Sequence, residues 1–323
     1  MSSASPVNPS PYSFPFAEYR VKHRTTYDYT YPVSLSYHTL HLKPRNWSGV
    51  QHISDFSIEM DPDPMDFTEN RDFFGNSVHS FSIQEPHERF SVLTQFNARV
   101  ISNPAPIDEL TINCAQVRNA LHGDTSFRML QALQFIYPSP QTHADPAIAE
   151  WAAAFFPDQR PFMEAVLEFN HALKSEIAFD PAATEITTSV SEVFAMKRGV
   201  CQDFAHLMIA ALRSQDLPAR YVSGYILTHP RPGEPRLEGA DASHAWVSVF
   251  VPGYGWIDLD PTNDLLVNDQ HIRIAVGRDF DDISLIKGSV TGGGTSTLAV
   301  EVTVWPIDDA SRRITHPDLS YSE

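Results

Sequence analysis

Short runs in which apolar and polar residues alternate dominate the first part of the chain. They extend from Tyr19 to about Val100 and include "YRVKHRTTYDYTY", "LSYHTLHLKPR" and "RFSVLTQFNARVIS". A period of two is typical of strands that hold one face against a core. Turn sequences separate the runs, and Gly75-Asn76 is the strongest local turn signal. The pattern predicts an N-terminal antiparallel β domain, sandwich-like in form, over residues 17–105.

A helical period replaces the alternation from Pro146 onward. The segments "DPAIAEWAAAFF", "RPFMEAVLEFNHALKSEIAF" and "TSVSEVFAMKRG" show it, and Ser189 with Glu192 forms a capping-box pattern in the last of them. A further helix begins near Cys201, is apolar on most sides and is predicted to be central and buried. Strand patterns follow in "LPARYVSGYIL", "HAWVSVFV" and "GWIDLD". This order predicts an α+β core over residues 146–265, with helices packed on an antiparallel sheet.

Four other segments complete the predicted organisation. Residues 106–145 show a weak helical pattern and are predicted to be a linker with short helices. Residues 266–310 include "TSTLAVEVTVWPI" after a glycine-rich turn, and we expect this C-terminal β segment to pack back on the N-terminal domain. The Ser- and Pro-rich residues 1–16 are predicted to be a disordered tail, and residues 311–323 a second tail.

The charge of the chain restricts its partners. Among 323 residues, 40 acidic side chains against 23 basic ones give a formal net charge of -17, without a basic stripe. This composition argues against a nucleic acid or an anionic membrane as a partner. The longest helix-compatible apolar stretch, "LMIAAL", is too short to cross a bilayer.

The cellular location is predicted from the N-terminus and the cysteines. The first residues have neither the cationic start nor the apolar core of a signal peptide. Cys114 and Cys201 are far apart in sequence and do not suggest a disulfide framework. We therefore expect a cytoplasmic protein whose cysteines are thiols, with Cys114 as a packing residue.

Cys201 lies where a polar turn gives way to the buried helix. The unpaired N–H groups and the positive dipole end of a first helical turn favour a thiolate and could bind a developing oxyanion. Asp203 lies in the same turn and opposes a thiolate, so a cationic partner is needed. Two other interpretations of Cys201 are a buried structural thiol and a zinc ligand with His206, although zinc requires more ligands at short spacing. His206 is otherwise a satisfied helix residue or a donor behind the site.

His244 stands out as that partner. It begins the strand "HAWVSVFV" and shares a face with Trp246. The next strand carries Asp258 and Asp260 on one face. If Trp246 faces Asp260 across the hairpin, His244 lies diagonally across from Asp260, within reach of a hydrogen bond. This register permits Cys201, His244 and Asp260 to act as nucleophile, base and orienting carboxylate, with Asp258 as the competitor for the last role.

Three further residues are candidates for oxyanion or cleft contacts. Gln202 follows the nucleophile and offers either its side-chain amide or its backbone N–H to an oxyanion. Tyr225 and Trp246 could reach the cleft, and packing in the core is the competing interpretation of both. No metal and no cofactor is predicted.

The motifs around these residues resemble one family. "GVCQDFAHL", "DLPARYVSGY" and "SHAWVSVFVPGYGWIDLDPTN" are similar to the bacterial transglutaminase-like superfamily, whose fold is similar to that of papain-type cysteine peptidases. The resemblance implies a catalytic triad of Cys201, His244 and Asp260, and its "DPT" motif favours Asp260 over Asp258. The stretches "YRVKHRTTYDYTYPV" and "DFFGNSVHSF" resemble the β domain that often precedes this core in bacteria. Gln202 stands where animal transglutaminases have Trp, so their cross-linking reaction is not implied.

The function predicted from these features is a thiol-dependent hydrolase that cleaves a peptide or other amide bond through an acyl-enzyme. Two alternatives stay open. One is transglutaminase-type transfer of the acyl group to an amine, and the other is a non-catalytic binding or scaffold protein that keeps the fold. The expected partner is a peptide or protein substrate. Retention of all three triad residues favours an enzyme.

Overall fold

The computed structural model describes residues 15–102, 104–228, 238–239 and 241–307. Residues 1–14 of the predicted N-terminal tail and the predicted tail at 311–323 lie outside the described residues. Phe16, the last residue of the first predicted tail, already belongs to the first strand.

The strands and α-helices of the described residues have the following bounds. The strands are β1 Phe16–Leu40, β2 Gln51–Asp61, β3 Met65–Arg71, β4 Ser77–Ile83, β5 His87–Ile101, β6 Ala178–Phe179, β7 Arg198–Gly199, β8 Ala219–Ile226, β9 Ser243–Val251, β10 Gly255–Asp260, β11 Leu265–Leu266, β12 His271–Gly277, β13 Ile286–Gly292 and β14 Ser296–Pro306. The α-helices are α1 Cys114–Gly123, α2 Phe127–Leu133, α3 Pro146–Ala153, α4 Phe162–Glu176, α5 Val190–Met196 and α6 Cys201–Arg213. None of the helices in the described part of the chain is long and apolar enough to cross a membrane.

One antiparallel sheet of seven strands forms the N-terminal layer. Its order is β2-β5-β1-β4-β3, and β13 and β14 also pair with β1. β1 can hold this sheet together because its 25 residues are long enough to pair with β5 and β14 in one half and with β4 and β13 in the other. β14 runs beside β1 from the pair Tyr19–Pro306 to the pair Tyr29–Ser296. The strands therefore form one hydrogen-bonded sheet rather than two separate ones.

The core is a second antiparallel sheet, with helices packed against it. Its five strands have the order β11-β10-β9-β8-β12. α6 packs on β8 and β9, and every residue from Asp203 to Arg213 is buried because this helix is apolar on most sides. Residues from α1, α3, α4 and α5 join the same apolar cluster. The predicted α+β class, with an N-terminal β domain and the cysteine at the start of a central helix, is confirmed.

The core extends beyond the predicted boundaries of 146–265 at both ends. β12 lies in the segment predicted to pack back on the N-terminal domain, but it pairs with β8 and completes the core sheet. α1 and α2 lie in the segment predicted to be a linker, but Cys114, Val117 and Leu121 are buried in the core cluster. α1 buries only this narrow apolar stripe, whereas every residue of β12 is buried, which its short sequence alone does not indicate. Of the C-terminal strands, β13 and β14 return to the N-terminal sheet.

The N-terminal layer contacts the core along the outer edge of β12. The Gln51 amide donates to the carbonyl oxygen of Arg273 at 2.7 Å and accepts from its N–H at 2.9 Å. Asn76 forms the same pair of bonds with Val276, at 2.7 and 3.0 Å. Two side-chain amides thus satisfy a strand edge that would otherwise present unpaired backbone groups. This contact fixes β12 against the N-terminal layer.

Candidate active site

The N-terminus of α6 presents Cys201 as a partly exposed thiol. Val200 precedes the helix in extended conformation, and Cys201 is the first helical residue. The Oδ2 atom of Asp203 accepts hydrogen bonds from the Val200 N–H at 2.8 Å and from the Thr184 hydroxyl at 2.6 Å. The N–H groups of Cys201 and Gln202 belong to the first turn, in which backbone donors have no intrahelical acceptor. These two donors are therefore available to an oxyanion next to the thiol.

The contacts of Asp203 explain why a carboxylate lies beside the candidate nucleophile. Its side chain caps the first turn of α6, and the residue is only 3% exposed. Burial raises the pKa of Asp203, while the hydrogen bonds from Thr184 and Val200 partly oppose this rise. Burial thus makes Asp203 easier to protonate than an exposed aspartate, and the two hydrogen bonds hold its side chain at the start of the helix.

His244 and Asp260 form a buried pair at the end of the β9–β10 hairpin. The ladder places Leu259 opposite Val247, so the next position, Asp260, lies opposite Trp246. His244 is then two residues further along the same face. Its Nε2 atom lies 2.7 Å from Asp260 Oδ2, with the side chains 8% and 0% exposed. The register and the diagonal contact are those expected from the alternation of the two strands.

The thiol of Cys201 acts on the imidazole of His244 together with Asp260. Because Nε2 faces Asp260, Nδ1 is the nitrogen available to the thiol. Burial alone would lower the pKa of His244, but the Asp260 carboxylate and the Cys201 thiol outweigh burial and raise this pKa well above its usual range. The pKa of Asp260 is lowered despite burial, because His244 and His271 stabilise the carboxylate. The site therefore favours the charged imidazolium form of His244.

Asp260 is held by backbone and side-chain donors as well as by His244. Its Oδ1 atom accepts the N–H groups of Thr262 and Asn263 at 3.0 and 3.2 Å. Its Oδ2 atom accepts a bond from the Asn263 amide at 2.7 Å. The turn that follows β10 thus fixes the orientation of the carboxylate toward His244.

His271 on β12 is a site residue that the sequence motifs do not predict. Its Nε2 atom lies 3.2 Å from Asp260 Oδ2, and its Nδ1 atom lies 3.2 Å from Asn268 Oδ1. The side chain of His271 is fully buried. The alternation in "HIRIAVG" is a strand signal that could have placed this histidine on a core strand. No local motif connects it to Asp260, because their contact depends on the order of the strands in the sheet.

Asp258, the competing carboxylate, is engaged elsewhere. Its Oδ2 atom accepts a hydrogen bond from Trp246 Nε1 at 2.9 Å and forms an ion pair with Arg273. Trp246 is fully buried, and its ring centroid lies 6.2 Å from that of His244. Trp246 is thus a packing residue beneath the imidazole, and the orienting position belongs to Asp260.

The other candidate residues, Gln202, Tyr225 and His206, differ in their exposure and in their partners. Gln202 is partly exposed in the first turn of α6, next to Cys201. Tyr225 is fully buried with its hydroxyl 2.6 Å from His23 Nδ1, so its role is packing rather than contact with the cleft. His206 is buried and its Nε2 atom accepts the N–H of Phe280 at 3.1 Å.

Two groups of possible metal ligands are accounted for by hydrogen bonds. Burial lowers the pKa of His206 to about 4, and its acceptor nitrogen is engaged by the backbone, away from Cys201. Ligand atoms of His244, Asp260 and His271 lie within 4.8 Å of one another. Both imidazoles bond the same carboxylate oxygen, so these three side chains form a hydrogen-bond network.

A thiol at the start of a buried helix, facing a His–Asp pair on an antiparallel sheet, defines a papain-like α+β protein. The sequence matches two protein families, and both matches agree with this class of protein. Residues 19–99 match the bacterial transglutaminase-like N-terminal region, and residues 150–261 match the transglutaminase-like superfamily. The chain belongs to the bacterial branch of the transglutaminase-like superfamily.

Relatives and a solved structure are consistent with this assignment. An uncharacterized protein of Mycobacterium tuberculosis is 35% identical over 90% of this chain and 93% of its own length. A protein-glutamine gamma-glutamyltransferase of Pseudomonas aeruginosa is 34% identical over 29% of this chain and 14% of its own length. The crystal structure of a Cytophaga hutchinsonii protein, described as a "putative cysteine protease", has a TM-score of 0.70 at 20% identity and covers 95% of this chain and 94% of that one. This structure shares the fold.

Proposed function

We propose that this protein is a thiol-dependent hydrolase that cleaves a peptide or other amide bond. The observation that carries the proposal is the 2.7 Å contact between His244 and Asp260, and Cys201 at the start of α6 acts on the same imidazole. A thiol becomes a good nucleophile when a base takes its proton and a cation stabilises the thiolate. His244 fills both roles, and Asp260 holds the ring in place and stabilises its charged form.

The reaction proceeds through an acyl-enzyme. Cys201 Sγ attacks the carbonyl carbon after its proton passes to His244, and the N–H groups at the start of α6 stabilise the oxyanion. The amide C–N bond breaks as His244 returns the proton to the leaving amine, which leaves a thioester on Cys201. Water then attacks the thioester, its proton passes to His244, and the carboxylic acid leaves as the thiol is restored.

Transfer of the acyl group to an amine is the second candidate. It is favoured by the similarity of part of this chain to the gamma-glutamyltransferase of Pseudomonas aeruginosa. The chemistry is the same up to the thioester, and the two functions differ only in the molecule that attacks it. Hydrolysis is the preferred candidate because water is the default acceptor where no amine-binding feature can be named.

A screen of peptide and isopeptide libraries tests the proposal. The wild-type chain and Cys201→Ala are compared with and without a primary amine, and products are identified by mass spectrometry. Cleavage that requires Cys201 supports the hydrolase. Products that carry the added amine support the transferase. Absence of both products, together with an unreactive Cys201, supports the non-catalytic scaffold instead.

A further inference from the structure

Three guanidinium groups surround the indole ring of Trp47. The guanidinium carbon of Arg45 lies 3.6 Å from the ring centroid, that of Arg273 lies 4.7 Å away and that of Arg220 lies 5.8 Å away. Trp47 and Arg45 belong to the loop between β1 and β2, whereas Arg220 and Arg273 belong to β8 and β12. We call this group the Trp47 arginine cluster. It lies where the N-terminal layer covers the core sheet.

The cluster has more positive than negative charge. Asp258 pairs with Arg273 and is also the carboxylate that acts on Arg220. Arg45 donates to the carbonyl oxygen of Gly75 at 2.7 Å, and the carboxylate that acts on it is Asp72. Three guanidinium groups are thus set against two carboxylates. Guanidinium groups stay protonated in proteins. A local excess of buried positive charge is notable in a chain whose formal net charge is -17.

Arg220 is the least satisfied member of the cluster. The residue is only 7% exposed, and its Nε atom has no hydrogen-bond partner among the described residues. The Nε atom of Arg273 and the indole N–H of Trp47 also lack partners there, as does the Oδ1 atom of Asp258. Buried charges are normally paired or hydrogen-bonded, because desolvation without compensation is unfavourable. The buried donors without a partner thus outnumber the one carboxylate oxygen without a partner.

The surroundings of the cluster give it the character of a built site. The guanidinium carbon of Arg220 lies 4.1 Å from the ring centroid of Trp256, so aromatic rings hold the cation in place. A pocket of about 610 Å³ adjoins the cluster, with Arg45 and Trp47 in its lining. Lys43 and Arg71 also line this pocket, together with one carboxylate, Asp55. The pocket thus brings solvent to the Arg45 and Trp47 side of the cluster.

We propose that the Trp47 arginine cluster binds one small oxyanion, either a carboxylate or a phosphate. The planar fork of a guanidinium group matches the two oxygen atoms of both groups, and an anion would supply the acceptor that Arg220 lacks. The site is separate from the candidate triad, and no step of the proposed reaction uses it. The nearest link is Asp258, which also accepts the hydrogen bond from Trp246.

Thermal unfolding of the full chain tests this site. Inorganic phosphate and acetate are each titrated against chloride at constant ionic strength. A bound anion raises the melting temperature by about 2 °C for each tenfold rise in its concentration above Kd. A rise with phosphate alone assigns the site to a phosphate, and a rise with acetate alone assigns it to a carboxylate. No rise above chloride with either anion overturns the proposal.

Matched arginine variants locate the effect. Arg220→Met removes the unpaired charge, and Arg20→Met removes an exposed arginine of β1. We expect the anion-dependent rise to be lost in Arg220→Met and kept in Arg20→Met. If Arg220→Met does not fold, Arg45→Met replaces it, because Arg45 is partly exposed. A rise that survives in the folded cluster variant, or that is lost equally in Arg20→Met, places the anion elsewhere and overturns the proposal.

Discussion

His271 Nε2 lies 3.2 Å from Asp260 Oδ2, the same oxygen atom that His244 Nε2 approaches to 2.7 Å. A carboxylate that is held from both sides by buried imidazoles is unable to rotate away from His244 without breaking another bond. Asp260 therefore depends on β12 as well as on its own hairpin. His271 is a positioning residue that acts on His244 through this shared carboxylate.

Replacement of His271 is expected to reduce the rate of the proposed reaction more than substrate binding. His271→Leu removes a hydrogen bond to a charged group, which contributes about 1.5–3 kcal/mol, so kcat falls roughly 10- to 100-fold with KM little changed. The alkaline limb of the kcat/KM profile moves to lower pH because His244 loses part of the stabilisation of its charged form. His271→Gln keeps a donor near Asp260 and should restore most of the rate. Equal profiles for the Leu and Gln variants would rule out the positioning role.

The pair of His244 and Asp260 predicts a pH-dependent contribution to stability. His244→Asn removes one partner of a buried pair, and we expect a loss of about 3 kcal/mol in the free energy of unfolding. The pKa of His244 is raised by folding, so its contribution is complete below pH about 6.5 and declines as the pH rises through the folded-state value. The pKa of Asp260 is lowered, so its contribution is lost as the pH falls below about 4.

Urea unfolding of the wild type and His244→Asn checks this dependence. The difference in free energy should be largest between pH about 4 and 6.5 and should shrink in alkaline buffer. A difference that stays constant from mildly acidic to alkaline pH would mean that the charged imidazolium contributes nothing to the pair.

The Gln51 contact predicts that the N-terminal layer stabilises β12. Gln51→Leu leaves the N–H and carbonyl groups of Arg273 without this partner, and the expected cost is about 1–3 kcal/mol in the free energy of unfolding. Hydrogen exchange measured by mass spectrometry should show faster exchange of β12 peptides. Gln84→Leu, at an exposed position, is the matched control and should change stability by less than about 0.5 kcal/mol. Unchanged exchange of β12 in Gln51→Leu would contradict the proposed coupling.

The pairing of β14 with β1 predicts that the C-terminal strand supports the N-terminal sheet. A chain that ends after Gly294 loses the buried side chains of Val302 and Val304, each of which contributes about 1.5–3 kcal/mol. We expect its melting temperature to fall by roughly 10 °C. A chain that ends after Ile307 keeps β14 and serves as the control. Coincident melting curves for the two truncated chains would count against a structural role of β14.

The parts of the site that were predictable lie in continuous segments. The position of Cys201 at a helix start and the register that brings Asp260 to His244 follow from local periodicity. Asp203 appeared unfavourable to a thiolate because of its negative charge. In the structure it accepts the Val200 N–H, a capping contact that its charge alone does not suggest. The cytoplasmic location and the peptide substrate stay predictions.

The parts that were not predictable depend on contacts between distant segments. His271 reaches Asp260 through the strand order of the core sheet. Gln51 and Asn76 bind the edge of β12, from which they are separated by 222 and 200 positions of sequence. No periodic pattern within either segment indicates a partner so far along the chain. β12, which pairs with β8 in the core sheet, lies beyond the predicted end of the core at residue 265 for the same reason.

The most direct test of the central claim is alkylation of Cys201 by iodoacetamide across a range of pH, followed by mass spectrometry of each cysteine peptide. Cys114 is an internal control, because it is fully buried and burial raises its pKa. We predict that Cys201 reacts faster than a free thiol at neutral pH, that Cys114 stays unreactive, and that His244→Asn removes the advantage of Cys201. A Cys201 that reacts no faster than a free thiol, at a rate that does not depend on His244, would contradict the proposed nucleophile.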